Sequence, residues 1–160
     1  MKKKILFIVN PISGTANKKQ ILATLEKNLN KDLYEWEVAY TEYAGHARLL
    51  ASDAVKKGID IVTAIGGDGT VNEVGSSLVN TDTALGIIPC GSGNGLARHL
   101  EIPMDYKKAV DLIKDGIVRA LDYGIINNMP FFCTCGVGFD AFVSFKFAEA
   151  GKRGLLTYLE

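Results

Sequence analysis

Two continuous apolar runs, at residues 5–9 and 84–88, and a mostly apolar one at 59–65 each give way to a loop rich in Gly, Ser, Asn or Thr, followed by a segment with helical spacing. Strands that are apolar at nearly every position are buried on both faces, which happens mainly in parallel sheets covered by helices on two sides. The intervening segments are long enough to be the crossovers that parallel pairing needs. Ile21, Leu22, Leu25 and Leu29 recur at helical spacing within residues 18–29, residues 46–57 form a second such segment that stops at Gly58, and residues 70–79 and 106–114 two more. Tyr34, Trp36, Val38 and Tyr40 alternate with polar neighbours, as in a strand near a sheet edge. The expectation is an α/β chain with a three-layer, Rossmann-like parallel sheet over residues 1–120.

Beyond residue 120 the pattern changes. Residues 117–126, a turn at Asn127-Asn128 and residues 131–137 read as hairpin β-structure, followed by a short helix at 140–150. Residues 121–160 are therefore expected to begin a second, β-rich domain that breaks off early. Composition narrows the partners. With 18 basic and 18 acidic residues the formal charge is zero, so a nucleic-acid partner held by bulk electrostatics is not expected. Three cysteines at uneven spacing suggest no disulfide framework and a reducing, cytoplasmic setting. Lys2, Lys3 and Lys4 precede an apolar run too short for a signal peptide, and no stretch is long enough to span a bilayer.

In parallel α/β sheets, ligands bind at the carboxyl ends of the strands. Four loops lie there: residues 10–17, 41–46, 66–70 and 89–95. Gly66-Gly67-Asp68-Gly69-Thr70 is the strongest feature, because consecutive glycines before a helix let several amides converge on an anion. Thr70 and Glu73 also match the T-x-x-E capping box. Asp68 is harder to explain as structure, since a carboxylate among phosphate-binding amides repels phosphate unless it holds a metal or orients an acceptor. Gly91-Ser92-Gly93-Asn94-Gly95 is a second loop of the same kind. Asn10-Pro11-Ile12-Ser13-Gly14 is a third, with Ser13 either a phosphate donor or a turn residue. Thr41 and His46 follow the edge strand, and His46 also suits the first turn of a helix. Cys133 and Cys135, two apart, read as core residues on one face of a strand.

Other sites are excluded. There is no G-x-x-x-x-G-K-[ST] loop, no G-x-G-x-x-G after the first strand, no H-E-x-x-H and no G-x-S-x-G. His46 and His99 are too far apart in sequence to suggest a zinc pair, so no metal-ligating protein set is expected.

Taken together, Asn10-Pro11-x-Ser13-Gly14, Gly66-Gly67-Asp68-Gly69-Thr70 with Asn72-Glu73, Gly91-Ser92-Gly93-Asn94, and Gly136-Val137-Gly138-Phe139-Asp140-Ala141 resemble the diacylglycerol kinase catalytic domain family. That family includes soluble bacterial lipid kinases and sphingosine and ceramide kinases; G-G-D-G alone is shared with NAD kinases and phosphofructokinases. The resemblance implies the NAD kinase/diacylglycerol kinase type of N-terminal domain. It also implies ATP and Mg2+ as cofactors, and γ-phosphoryl transfer to a lipid hydroxyl such as diacylglycerol or a sphingoid base. Nucleotide contacts are then expected at Asn10, Pro11, Ile12, Ser13, Gly14, Thr41, Gly67, Asp68, Gly69, Thr70, Val71, Asn72, Glu73 and Ser92. Asp68 would belong to the phosphate and magnesium network, and His46, in a T-x-x-x-x-H-A pattern, would help shape the site. Gly95 departs from the Asp usual there in bacterial members, and the family's general base is expected past residue 160.

The implied protein is cytoplasmic and visits a membrane surface transiently for its lipid alcohol, with Lys152 and Arg153 as a small basic aid and a homodimer as one arrangement. The alternatives are an NAD-kinase-like enzyme on the same G-G-D-G-T loop, or a catalytically inactive nucleotide-binding or regulatory module, with the 160-residue chain alone expected to be inactive.

Overall fold

The computed structural model describes residues 2–149. Lys152, Arg153 and the terminal apolar segment lie outside the described residues. Four strands, β1 (Lys3–Val9), β2 (Tyr34–Tyr40), β3 (Ile61–Gly66) and β4 (Ala84–Pro89), form one parallel sheet in the order β2-β1-β3-β4. Helices α1 (Lys18–Asn28), α2 (His46–Lys56), α3 (Asp68–Leu78) and the short α4 (Gly95–His99) and α5 (Tyr106–Asp115) connect and follow them. The three-layer parallel arrangement expected from the apolar runs is what forms.

Two cores account for the layers. On one face, Leu6, Ile8, Val62, Ala64 and Ile87 pack against Ala47, Ala51 and Ala54 of α2 and Val71, Val74 and Leu78 of α3. On the other, Ile5, Phe7, Val9, Ile65 and Ile88 meet Ile21 and Leu25 of α1 and Ala109 and Val110 of α5. Period-2 alternation thus sends adjacent residues of one strand into opposite cores, which is why β1 is apolar at every position from Ile5 to Val9. Burying a side chain of this size contributes about 1.5–3 kcal/mol, so the central strands hold the scaffold of the site rigid.

The edges of the elements differ from the sequence pattern in instructive ways. β3 begins at Ile61; just before it, Asp60 accepts the Lys4 amide on its side chain at 2.7 Å while its own amide donates to the Lys4 carbonyl at 3.1 Å. Helix α3 begins at Asp68, two residues before the helical pattern suggests, and Gly67 caps it with no side-chain bond. The expected Thr70–Glu73 capping box does not form: Thr70 already lies inside the helix, and Glu73 turns to another element.

After α5 the chain leaves the parallel sheet. Residues 117–123 are irregular, and β5 (Gly124–Ile126) and β6 (Met129–Phe131) form a separate two-stranded antiparallel sheet around Asn127-Asn128. A helix, α6, spans Phe139–Glu149. Strand structure ends at Phe131, so Cys133 and Cys135 are exposed in irregular chain instead of forming a core face. The correction has a simple cause: among the described residues no strand pairs beyond Phe131 to bury that face, and the Cys133 sulfur lies beside Gly95 while staying exposed. Phe132 ties this region to α3, where a Cβ on Gly75 would stand 2.9 Å from its ring.

Candidate functional site

The strand order places the site. The chain leaves β1 to one side for β2 and leaves β3 to the other for β4, so the carboxyl ends of β1 and β3 form the crevice where connections diverge. Val9, Ile65 and Ile88 are in register across the sheet, and the loops at residues 10–14, 67–70 and 90–94 start level with one another.

Backbone contact, more than side-chain packing, joins these loops. Gly14 has φ +51°, and a Cβ there would lie 1.7 Å from the Cys90 carbonyl oxygen. A Cβ on Gly91 would stand 2.6 Å from the Gly67 Cα. The glycines therefore allow three loops to touch, each against backbone that cannot swing away.

Polar side chains fasten the assembly. Asn10 Nδ2 donates to Thr70 Oγ1 at 3.1 Å, and Ser13, buried, donates from Oγ to the Asn10 carbonyl at 3.0 Å. Asp68 accepts the Asn94 amide on one oxygen at 2.8 Å and the Gly95 amide on the other at 2.6 Å. Its carboxylate thus stands at the start of α4 and bridges the two Gly-rich loops, a structural use that its position in the sequence did not disclose. Asn94 is the organiser that the residue pattern underplayed. It sits in the left-handed region at φ 54°, accepts from the Gly91 amide at 2.9 Å and donates to the Gly91 carbonyl at 2.7 Å. An Asn between glycines is the available signal, since its short amide tolerates that conformation.

Glu73 faces the adjacent loop. Its carboxylate accepts the Gly45 amide at 2.9 Å and the Ala47 amide at 3.1 Å, capping α2 across the helix pair where Gly45 supplies no side-chain cap of its own. Replacing Glu73 by Ala should lower stability by about 1–2 kcal/mol, with Glu73→Gln losing less, because the amide keeps one acceptor oxygen. Urea midpoints of the two variants check this.

The remaining expected residues fall unevenly. Pro11, Ile12, Gly14, Asp68, Gly69 and Ser92 are exposed at the loop surface, and Asn72 is half-buried. Thr41 follows β2 and its amide donates to the Val9 carbonyl at 2.9 Å. Val71 belongs to the apolar core, so its side chain points away from this surface. His46 opens α2; its Nδ1 accepts the Glu42 amide at 3.2 Å and its ring stacks on Tyr43 with centroids 4.6 Å apart. Cys90 is buried, and burial pushes its thiol pKa up against the opposing influence of Lys18.

Electrostatically the opening of α3 is left available. Its N-terminal amides receive no side-chain cap, and apart from its chain neighbours and the backbone of its own helix nothing lies within 4 Å of the place a Cβ on Gly69 would occupy. Uncapped amides at the positive end of a helix are acceptors' natural partners, and anions bind there. The fold and site define a Rossmann-like α/β domain whose glycine loops meet at the switch point of a parallel sheet.

Comparison with known proteins gives the family. The model of the diacylglycerol kinase catalytic domain matches residues 4–126, and the chain belongs to that family. A diacylglycerol kinase of Bacillus subtilis (strain 168) is 37% identical over 139 residues, covering 85% of this chain and 46% of that protein. One from Staphylococcus haemolyticus (strain JCSC1435) is 39% identical over 133 residues, covering 82% of this chain and 40% of the relative. A crystal structure of a diacylglycerol kinase from Bacillus anthracis str. Sterne superposes with a TM-score of 0.70 at 28% identity, covering 81% of this chain and 48% of that one. The chain thus spans less than half the length of these relatives.

Proposed function

We propose that this chain is the nucleotide-binding part of an ATP-dependent lipid kinase that transfers the γ-phosphoryl group of Mg-ATP to a lipid hydroxyl. The observation that carries the reading is the meeting of three glycine loops at the uncapped start of α3. Phosphoryl transfer needs mainly positioning and charge stabilisation, and backbone amides held by a rigid sheet provide both.

The residues fit both implied groups. Phosphate oxygens suit the amides at Gly67, Asp68, Gly69 and Thr70. Asp68 is exposed, and an ionised carboxylate that accepts one amide per oxygen retains lone pairs for a cation. Among the described residues no cluster of three or more His, Cys, Asp or Glu could hold a metal. Mg2+ is commonly bound by one or two carboxylates together with substrate phosphates, so Asp68 would hold it jointly with the nucleotide. Bound there, the ion would neutralise charge on the transferred group.

The names of the relatives support diacylglycerol, or a related lipid alcohol, as acceptor. No described helix is long and apolar enough to cross a membrane. On this reading the protein works in the cytoplasm and meets its acceptor at the membrane surface.

Thermal and urea unfolding with Mg-ATP, with NAD and with neither tests the reading. A ligand at about 100 times its dissociation constant that binds only the folded form adds about 2.7 kcal/mol. Stabilisation by Mg-ATP and not by NAD is the expected result. Stabilisation by NAD alone would instead indicate an NAD-kinase-like protein.

A further inference from the structure

The first turn of α1 carries charge that works against its own helix. Lys18 and Lys19 directly follow the Asn17 cap, and no acidic residue accompanies them in that turn. The amino end of a helix is already electropositive, so ammonium groups there are disfavoured locally. Such conflicts with a local rule are expected where something outside the element compensates.

Lys18 does not simply extend into solvent. It is half-buried, and its Nζ donates to the Ser13 carbonyl in the loop after β1. The residue after that carbonyl, Gly14, lies directly against the Cys90 carbonyl of the loop after β4. The ammonium therefore sits where two of the three glycine loops meet, and the first of these is pinned to α3 through Asn10 and Thr70. An ammonium has three donor protons, so the Ser13 carbonyl leaves it capacity for further acceptors.

The loops themselves supply amides but no formal positive charge. Residues 10–17, 66–70 and 89–95 contain no Lys or Arg, while Asp68 adds a carboxylate. Among the described residues, the cations that hydrogen-bond to these loops are Lys18 and Arg98, whose Nε donates to the Gly93 carbonyl at 2.9 Å. Arg98 is exposed; Lys18 is the half-buried one, where charge is less screened by water and salt. We infer that Lys18 is a polyphosphate-recognition residue, sharing its ammonium between the Ser13 carbonyl and the outer phosphates of the nucleotide, so that the site favours a triphosphate over a monophosphate. The inference rests on the ATP reading above and deepens it.

Equilibrium binding of ATP, ADP and AMP to the chain and to Lys18→Met and Lys18→Arg tests it, with urea midpoints as a control for folding. Lys18→Met should weaken ATP binding about tenfold, a size typical of losing one charge-assisted contact, and change AMP binding by less than about twofold. Lys18→Arg should restore most of the difference. A lysine that only clamps Ser13 would weaken ATP and AMP by the same factor, which overturns the inference. Unchanged ATP affinity in Lys18→Met overturns it too and leaves the ATP reading standing. A wild-type chain that binds neither ATP nor AMP overturns the ATP reading, and the role of Lys18 falls with it.

Discussion

Gly14→Ala should cost this protein about 3 kcal/mol or more of stability and abolish nucleotide-induced stabilisation, while Gly58→Ala should cost only about 1–2 kcal/mol. Both glycines have positive φ, +51° at Gly14 and +66° at Gly58, so both substitutions carry the conformational penalty of an L side chain in the left-handed region. They differ in what the new methyl meets. At Gly58 nothing beyond its chain neighbours lies within 4 Å of the new methyl, whereas at Gly14 the carbonyl oxygen of Cys90 is 1.7 Å away and its carbon 2.9 Å. That contact is backbone on backbone, fixed on one side by the end of β4, where the Cys90 amide bonds the Gly66 carbonyl at 2.8 Å. The loops can accept the methyl only by separating. Separation would pull residues 10–14 away from Thr70 and open the junction at the start of α3. Urea denaturation of the two variants, with and without Mg-ATP, measures both consequences, and equal losses for the pair would show that loop contact contributes nothing beyond backbone strain.

The second large effect is expected at Asp68. Asp68→Ala leaves the Asn94 and Gly95 amides without their acceptor, at a cost of about 1–2 kcal/mol given that the carboxylate is exposed and solvent can replace it in part. The larger effect is on the ligand: the roughly 2.7 kcal/mol of stabilisation expected from saturating Mg-ATP should disappear. Asp68→Asn separates the two contributions. It retains one acceptor oxygen for the loop and presents an NH2 group to the other amide, but it loses the charge that would attract Mg2+. A stability loss no larger than that of Asp68→Ala, with no response to Mg-ATP, is the expected outcome. A full Mg-ATP response in Asp68→Ala would reduce Asp68 to a brace between loops.

These two positions show what could be read along the chain and what could not. The runs at residues 5–9 and 84–88 announce doubly buried parallel strands, because burial on both faces removes polar residues from every position. The glycine clusters announce loops at the ends of those strands. The reason for individual glycines was not legible, since Gly14 is required by the Cys90 carbonyl 76 positions away in sequence and Gly67 by Gly91. Glu73 shows the same limit from the other side. Its spacing from Thr70 matches a local cap, yet its carboxylate serves Gly45 and Ala47, because packing α3 against α2 offers it two uncapped amides. Cys133 and Cys135 alternate as a strand would, but strand residues are buried only where a partner is present.

What the sequence determined by itself is therefore the scaffold and the location of the site: apolar periodicity selects the α/β layers, and the strand ends place the loops. Tertiary structure alone decided which side chain does what within those loops. Asp68, Asn94, Glu73 and Lys18 all act on backbone groups, and Asp68 and Glu73 reach partners more than 20 residues distant. A hydrogen bond of that kind depends on where folding brings an amide or carbonyl, and every residue carries those groups, so no residue type in the sequence marks the partner.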